Sequence, residues 1–255
     1  MRLMICDLGG RASRRSQIAN QKSQILVYRV LILLVITAAL LSAGAQHQPI
    51  PQPRPAVPAV SFTFAWPSVE PHRYVIVIDS GGKGAYQSWT ADSTAAQPAG
   101  EDDSYEQKFA ASPAARDRVF ALASQLKYFN GDFDFRKRPI AFTGDKTLAY
   151  ADPDQHYETR YNWSENPGIE ELTSFFQGIA ETVESGRRLQ RLRRFDRLGL
   201  DEELKSLEHA AVEHRASELQ IIAPILLEIA EDSAVLNIAR QRARHILQLA
   251  GANAR

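Results

Sequence analysis

The sequence predicts an α+β fold: a small antiparallel β-sheet of hairpins with one packed helix, followed by a C-terminal antiparallel helical bundle. Three observations predict it. Between residues 61 and 166, apolar residues recur with period two in short runs separated by glycine- and proline-bearing turns. Within that region Ser112 and Pro113 open a single helical stretch. From Asn166 onward the period switches to 3.6. The 255 residues suffice for one or two domains with a real core, and 44% apolar content excludes a disordered chain.

Residues 1–45 read as an address. Arg2, Arg11, Arg14, Arg15, Lys22 and Arg29 stand against one acid, Asp7, and the apolar run Val30 to Leu41 follows. With Ala43 and Ala45 in A-x-A spacing before Gln46, this is the form of a secretory signal peptide, so a periplasmic or secreted protein is expected. The run is short for a membrane span, which needs roughly 20 residues. The alternative is a single uncleaved N-terminal anchor with the domain outside the cytoplasm. Gln17 to Ile25 has no structural period, and a translation start further in, near Val27 or Val30, is expected. Cleavage removes six of the 30 basic residues and one of the 30 acidic ones, leaving 24 and 29, a net charge of −5. It also removes Cys6, the only cysteine, and with it any disulfide, thiol chemistry or Cys metal ligand.

Residues 46–60 carry Pro49, Pro51, Pro53, Pro55 and Pro58, a density that favours extended polyproline II and reads as a spacer. A proline-recognition ligand is the sharper alternative. The α+β domain is expected over 61–166. Ser61 to Trp66 alternates as an edge strand does. Tyr74 to Ile78 is continuously apolar and β-branched, which suits a strand buried on both faces. Asp79 to Gly84 turns, and Ala85 to Thr90 returns as the hairpin partner. A polar loop runs to Asp103, and Tyr105, Gln107 and Phe109 mark another strand.

Ala115, Val119, Leu122, Ala123 and Leu126 then line one face of the helix opened by Ser112. A second hairpin is expected from Ile140 and Phe142 through a turn at Thr143 to Lys146 into Thr147 to Tyr150. Asp152 to Gln155 has type I turn composition, and Tyr157, Thr159, Tyr161 and Trp163 share one face of the returning strand. The helical domain is expected over 167–255. Asn166 caps a helix striped by Ile169, Leu172, Phe176, Ile179 and Val183, running on through Leu189, Leu192, Phe195 and Leu198 to Gly199. Asp201 caps the next, with Leu204, Leu207, Ala211 and His214 inward. Ser217 and Pro224 break the pattern before Leu226 and Ile229, and Val235 to Leu247 close it.

Phe133 to Lys137, Ile140 to Thr147 and Tyr161 to Pro167 together resemble a family of exported bacterial proteins of unknown function. The resemblance covers most of the chain beyond residue 45, including the helical tail. It implies export and an α+β module, and carries no activity and no site residues.

Candidate chemistry is sparse. Gly81, Gly82, Lys83 and Gly84 lack P-loop spacing and read as a hairpin turn rather than a phosphate cradle. Asp152, Asp154 and His156 form D-x-D-x-H, a spacing a hard cation or zinc can use, although Pro153 places the aspartates in a turn where they are common anyway. His209 and His214 are five apart, so they do not chelate one ion from a helix; His214 reads as a core histidine. HExxH, GxSxG and SxxK are missing, and no motif calls for a cofactor.

Six arginines lie between Arg187 and Arg197, of which Arg187, Arg191 and Arg194 share a helical face. They offer a surface for anionic lipid headgroups or an acidic envelope protein. The local reading is favoured: cations at a helix C-terminus, paired with Asp201, Glu202 and Glu203 of the next helix. Asn162-Trp163-Ser164 fits a glycosylation sequon on a strand, a signal of little weight. Nucleic acid is not expected as a partner of an exported, net-negative chain. The expectation is an exported cell-envelope protein that binds or scaffolds without catalysis. The alternatives are a hydrolase-type enzyme with a spatially assembled polar or metal site, and peripheral membrane binding through Arg187–Arg197.

Overall fold

Strands form where aromatic and β-branched residues alternate with small or polar ones. In the computed structural model, which describes residues 56–90 and 104–253, six such runs pair: β1 (Ala59–Ala65), β2 (Arg73–Asp79), β3 (Lys83–Trp89), β4 (Ser104–Ala110), β5 (Asp145–Ala151) and β6 (His156–Tyr161). The order across the sheet is β4-β3-β2-β1-β5-β6, and each pair is antiparallel. One face carries Val60, Phe62, Phe64, Tyr74, Ile76, Ile78, Tyr86, Leu148, Tyr150 and Tyr161, all buried. Because side chains alternate with period two, their neighbours face the other way, and Ser61, Thr63, Val75 and Val77 are only half-buried.

Two helices cover the apolar face. Ser112 starts α1 (Pro113–Gln125), its hydroxyl accepting from the Ala115 N–H, and Val119, Leu122 and Ala123 turn inward. Asn166 starts α2 (Pro167–Phe195), its side chain accepting from the Gly168 and Ile169 N–H groups. Ile169, Leu172, Phe176, Ile179 and Val183 of α2 join the sheet core, and Phe176 stacks on Phe62 at 5.4 Å. Polar bolts fix the helix to the sheet. Thr173 donates to the Ile169 carbonyl, so the Tyr161 hydroxyl, 2.6 Å away, donates to Thr173. Further along, Tyr86 and Ser88 both donate to Glu184, at 2.7 and 2.9 Å. Burial and the Glu184 charge push the Tyr86 hydroxyl far above its ordinary value.

The last third of α2 leaves the sheet and enters a second core. There Leu189 packs with α3 (Leu200–Val212), α4 (Ala223–Glu231) and α5 (Asn237–Asn253), through Leu204, Leu207, Leu226, Ile229 and Ile246. The connection after α3 crosses α2 where it has no side chains: a Cβ at Gly178 would meet Ser217 Oγ at 2.4 Å, and one at Gly186 would meet Ile222 Cγ2 at 2.4 Å. Between them Thr182 donates to the Ser217 carbonyl. One helix therefore belongs to both cores.

The fold class agrees with the sequence, and several details differ. β1 lies in the middle of the sheet, not at its edge; its alternation reflects burial on one face. β2 is buried on one face, since a β-branched run reads alike whether one or both faces are covered. Residues 140–144 form no hairpin arm, and β5 pairs only with β1 and β6. The long helix ends at Phe195, leaving Phe195 and Leu198 exposed. Asp201 sits in the first turn of α3 while Gly199 holds the cap position. His214 is exposed with φ +57°, because α3 stops at Val212 and the chain reverses there. The segments expected to be a signal peptide (1–45), the start of a spacer (46–55) and a polar loop (91–103) lie outside the described residues. Among the described residues no helix is long and apolar enough to cross a membrane.

Candidate functional site

The segments 133–137, 140–147 and 161–167 meet at the N-terminal end of α2. Asn162, just past β6, gathers them. Its N–H donates to Asp134 Oδ1 at 2.9 Å, its Oδ1 accepts from the Thr143 N–H at 2.7 Å, and its Nδ2 donates to the Ala141 carbonyl at 2.9 Å. The amide side chain thereby does for residues 141–143 what a neighbouring strand would do, holding an irregular segment in place without a ladder. Below it Lys146, almost fully buried, donates to the carbonyls of Thr143, Gly144 and Asn162 and to the Thr143 hydroxyl. Burial pushes this amine below its ordinary value, against the opposing pull of Glu170 and Asp145.

Joined to this cluster through the Asn162–Asp134 hydrogen bond is a cleft of about 790 Å³, walled by Asp132 to Lys137 on one side and Ser164 to Pro167 on the other. The Phe135 N–H donates to the Trp163 carbonyl, and their rings meet edge to face at 5.0 Å. Along the rim Arg136 pairs with Asp132 at 3.0 Å and with Asp134 at 3.2 Å, while Lys137 reaches Glu165 at 2.5 Å. All of these heads but Asp134 are exposed, so the pairs are weak and a charged ligand can replace Asp132 or Glu165 as the partner of Arg136 or Lys137. The walls hold no histidine, cysteine or tyrosine. Their one hydroxyl, Ser164, is buried and accepts from the Asn166 N–H. This arrangement suits recognition by ring faces and exchangeable charges; it contains no nucleophile beside a base.

The chain matches no family model, and no curated protein is significantly similar to it.

The residues singled out from the sequence fall elsewhere. Asp152 folds back on its own turn: Oδ1 accepts the N–H groups of Asp154 and Gln155, both at 2.8 Å, and Oδ2 accepts from Tyr150 and Gln155 at 3.1 Å. Partial desolvation opposes ionisation, yet these four bonds hold the carboxyl below its usual range; burial and Asp152 together push the Tyr150 hydroxyl up to about 12. Asp154 and His156 are exposed at the same β5–β6 turn. Among the described residues no three His, Cys, Asp or Glu side chains gather as metal ligands.

The arginines divide. Arg187 lies over the Tyr105 ring at 4.9 Å and 3.8 Å from Glu184. Arg188 pairs with Glu203 of α3 at 2.9 Å, and Arg193 with Glu228 of α4 at 2.5 Å. Arg191 and Arg194 point outward. His209 stays near Glu213 at 3.3 Å.

Sequence reasoning passed over Asn162, Lys146, Glu184, Glu208 and Glu218. Only Asn162 left a signal, and it was read as a sequon.

Proposed function

We propose that the protein is an exported, non-enzymatic binding or scaffolding protein of the cell envelope, with the cleft at the start of α2 as its ligand-facing surface. The observation that carries this reading is the contrast between a fixed backbone and exchangeable rim charges. Asn162 and Lys146 hold the adjoining backbone through hydrogen bonds, Asn162 reaching the wall itself through Asp134, whereas the heads of Arg136, Lys137 and Glu165 are exposed and held by ion pairs alone. A prearranged backbone with exchangeable charges lowers the ordering cost of binding. The ligand it fits is polar and extended, with charges of both signs and a ring or apolar face for Phe135 and Trp163.

Catalysis would draw on a titratable group held ready for substrate. The inward carboxylates are instead engaged: Glu184 by Tyr86 and Ser88, Glu208 by Arg242 and His245, Glu218 by Ser112. Export rests on the signal-peptide pattern of residues 1–45 and on the family resemblance.

A turnover screen tests the reading. The purified chain is incubated with ester, peptide, glycoside and phosphate-ester substrates, with and without added divalent metals. No turnover above a heat-denatured control is expected. Robust turnover that survives repurification and is lost on Asp154→Ala would replace this reading with the hydrolase.

A further inference from the structure

At the opposite end of α2, about 40 Å from the cleft for a helix of this length, the molecule presents a different surface. Phe195 is 74% exposed and Leu198 is 76% exposed. The helical pattern assigns both to the buried stripe, but α2 ends at Phe195 and the chain turns at residues 196–199, so neither reaches the core. Arg191, Arg194 and Arg197 belong to the same stretch of chain, all exposed. The Arg194 guanidinium lies 5.1 Å from the Phe195 ring. Arg197 reaches back to the Arg193 carbonyl at 3.4 Å. Asp196, the one acid in this stretch, is exposed and accepts from the Gly199 N–H at 3.3 Å. No acidic side chain among the described residues pairs with Arg191, Arg194 or Arg197. The neighbouring Arg187, Arg188 and Arg193 are spent on Glu184, Glu203 and Glu228.

We infer that this tip docks on the surface of an anionic phospholipid bilayer, with Phe195 and Leu198 entering the headgroup region and Arg191, Arg194 and Arg197 contacting lipid phosphates. Two exposed apolar side chains in one short stretch with three arginines that have no acidic partner match the two parts of such an interface, apolar below the headgroups and negative above them. Arginine suits phosphate because its planar fork donates two parallel hydrogen bonds. An acidic protein groove would satisfy the arginines but needs a complementary hollow for two protruding side chains; a fluid bilayer needs none. The site is independent of the cleft, and α2 becomes a strut holding the cleft away from the membrane.

The test places a reporter at the tip of the full chain, so that residues 30–41 binding lipid by themselves do not mimic the result. With Cys6→Ser and Leu198→Cys, the thiol is labelled with an environment-sensitive nitrobenzoxadiazole dye. Vesicles are pure phosphatidylcholine, or phosphatidylcholine with about a third phosphatidylglycerol. A blue shift and intensity rise are expected on the anionic vesicles only, fading as salt is raised. Arg191→Glu with Arg194→Glu should weaken the response about tenfold or more. The same dye at Lys108→Cys, on the edge strand β4, should stay in water. Three results would overturn the inference: a tip reporter that remains water-like while the chain pellets with anionic vesicles, equal responses on neutral and anionic lipid, or a lipid-independent blue shift that tracks protein concentration, which would show self-association.

Discussion

Glu218 caps a helix that begins 106 residues before it: its Oε2 accepts the Ser112 N–H at 2.6 Å and its Oε1 accepts the Ser112 hydroxyl at 2.9 Å. A carboxylate from the connection after α3 thus satisfies the start of α1, next to the sheet, and helps bind the two cores together. Glu218 holds φ +56° to reach it. Ser112→Ala is expected to cost about 1 kcal/mol, and Glu218→Ala about 1–3 kcal/mol. Urea denaturation of both singles and the double variant should show non-additivity, because both remove the Ser112 hydroxyl–Glu218 bond, while the bond from the Ser112 N–H survives in Ser112→Ala. Additive losses would separate the two residues.

Gly178 and Gly186 set the approach of the 215–222 segment to α2. In an isolated helix, replacing glycine by alanine gains about 1 kcal/mol. Here the sign should reverse: the new methyl at Gly186 meets Ile222 and the one at Gly178 meets Ser217 and the Arg215 carbonyl. Each Ala variant is expected to lose about 1–3 kcal/mol, the usual cost of overpacking. The measurement is a chemical denaturation midpoint, and stabilisation by either alanine would show that the contact relaxes freely.

Asn162 should control the order of the cleft wall. Asn162→Asp puts an acceptor where the Ala141 carbonyl takes a donor, and losing this exposed bond should cost about 0.5–1.5 kcal/mol locally. Trypsin reads this directly, since Arg136 and Lys137 lie on that wall. Cleavage there should accelerate well before global unfolding. Unchanged cleavage would mean that Asn162 does not hold the segment.

Acid should weaken the helical core through Glu208. Its oxygens accept from Arg242 at 2.8 Å and lie 2.6 Å from His245 Nδ1. Partial burial raises the cost of the charge, but the bonds to His245 and Arg242 prevail and hold the carboxyl below its ordinary value of 4.5. A carboxylate whose folded value is depressed contributes stability that is present in full above the unfolded value and is lost as pH falls through the folded one. Melting temperature should therefore drop as pH is lowered below about 4.5, and Glu208→Gln should flatten that limb while lowering stability at neutral pH.

The sequence made the sheet and the long helix legible because their signals are local. Alternation placed Phe62 and Tyr161 inward, and Ser112-Pro113 and Asn166-Pro167 marked helix starts to the residue. Strand order was not legible: alternation states which face is buried and not which strand is beside it, so β1 read as an edge. The cleft escaped for a related reason. Lys146 looks like a turn residue until four acceptors close on it, and those acceptors come from residues 143, 144 and 162. Phe195 and Leu198 misled in the other direction, since periodicity extends a stripe beyond the point where the helix ends.

The most direct test of a non-catalytic binding cleft is a ligand titration read at Trp163. Its indole N–H and those of Trp66 and Trp89 are followed by heteronuclear NMR of the labelled chain as soluble envelope oligosaccharides and peptides are added. Trp163 beside Phe135 should move with a saturable profile while Trp89 on β3 stays fixed. Arg136→Glu with Lys137→Glu should abolish the shift, and the ligand should be recovered unchanged in mass. Perturbations confined to the β5–β6 turn, or a ligand returned cleaved, would contradict the account.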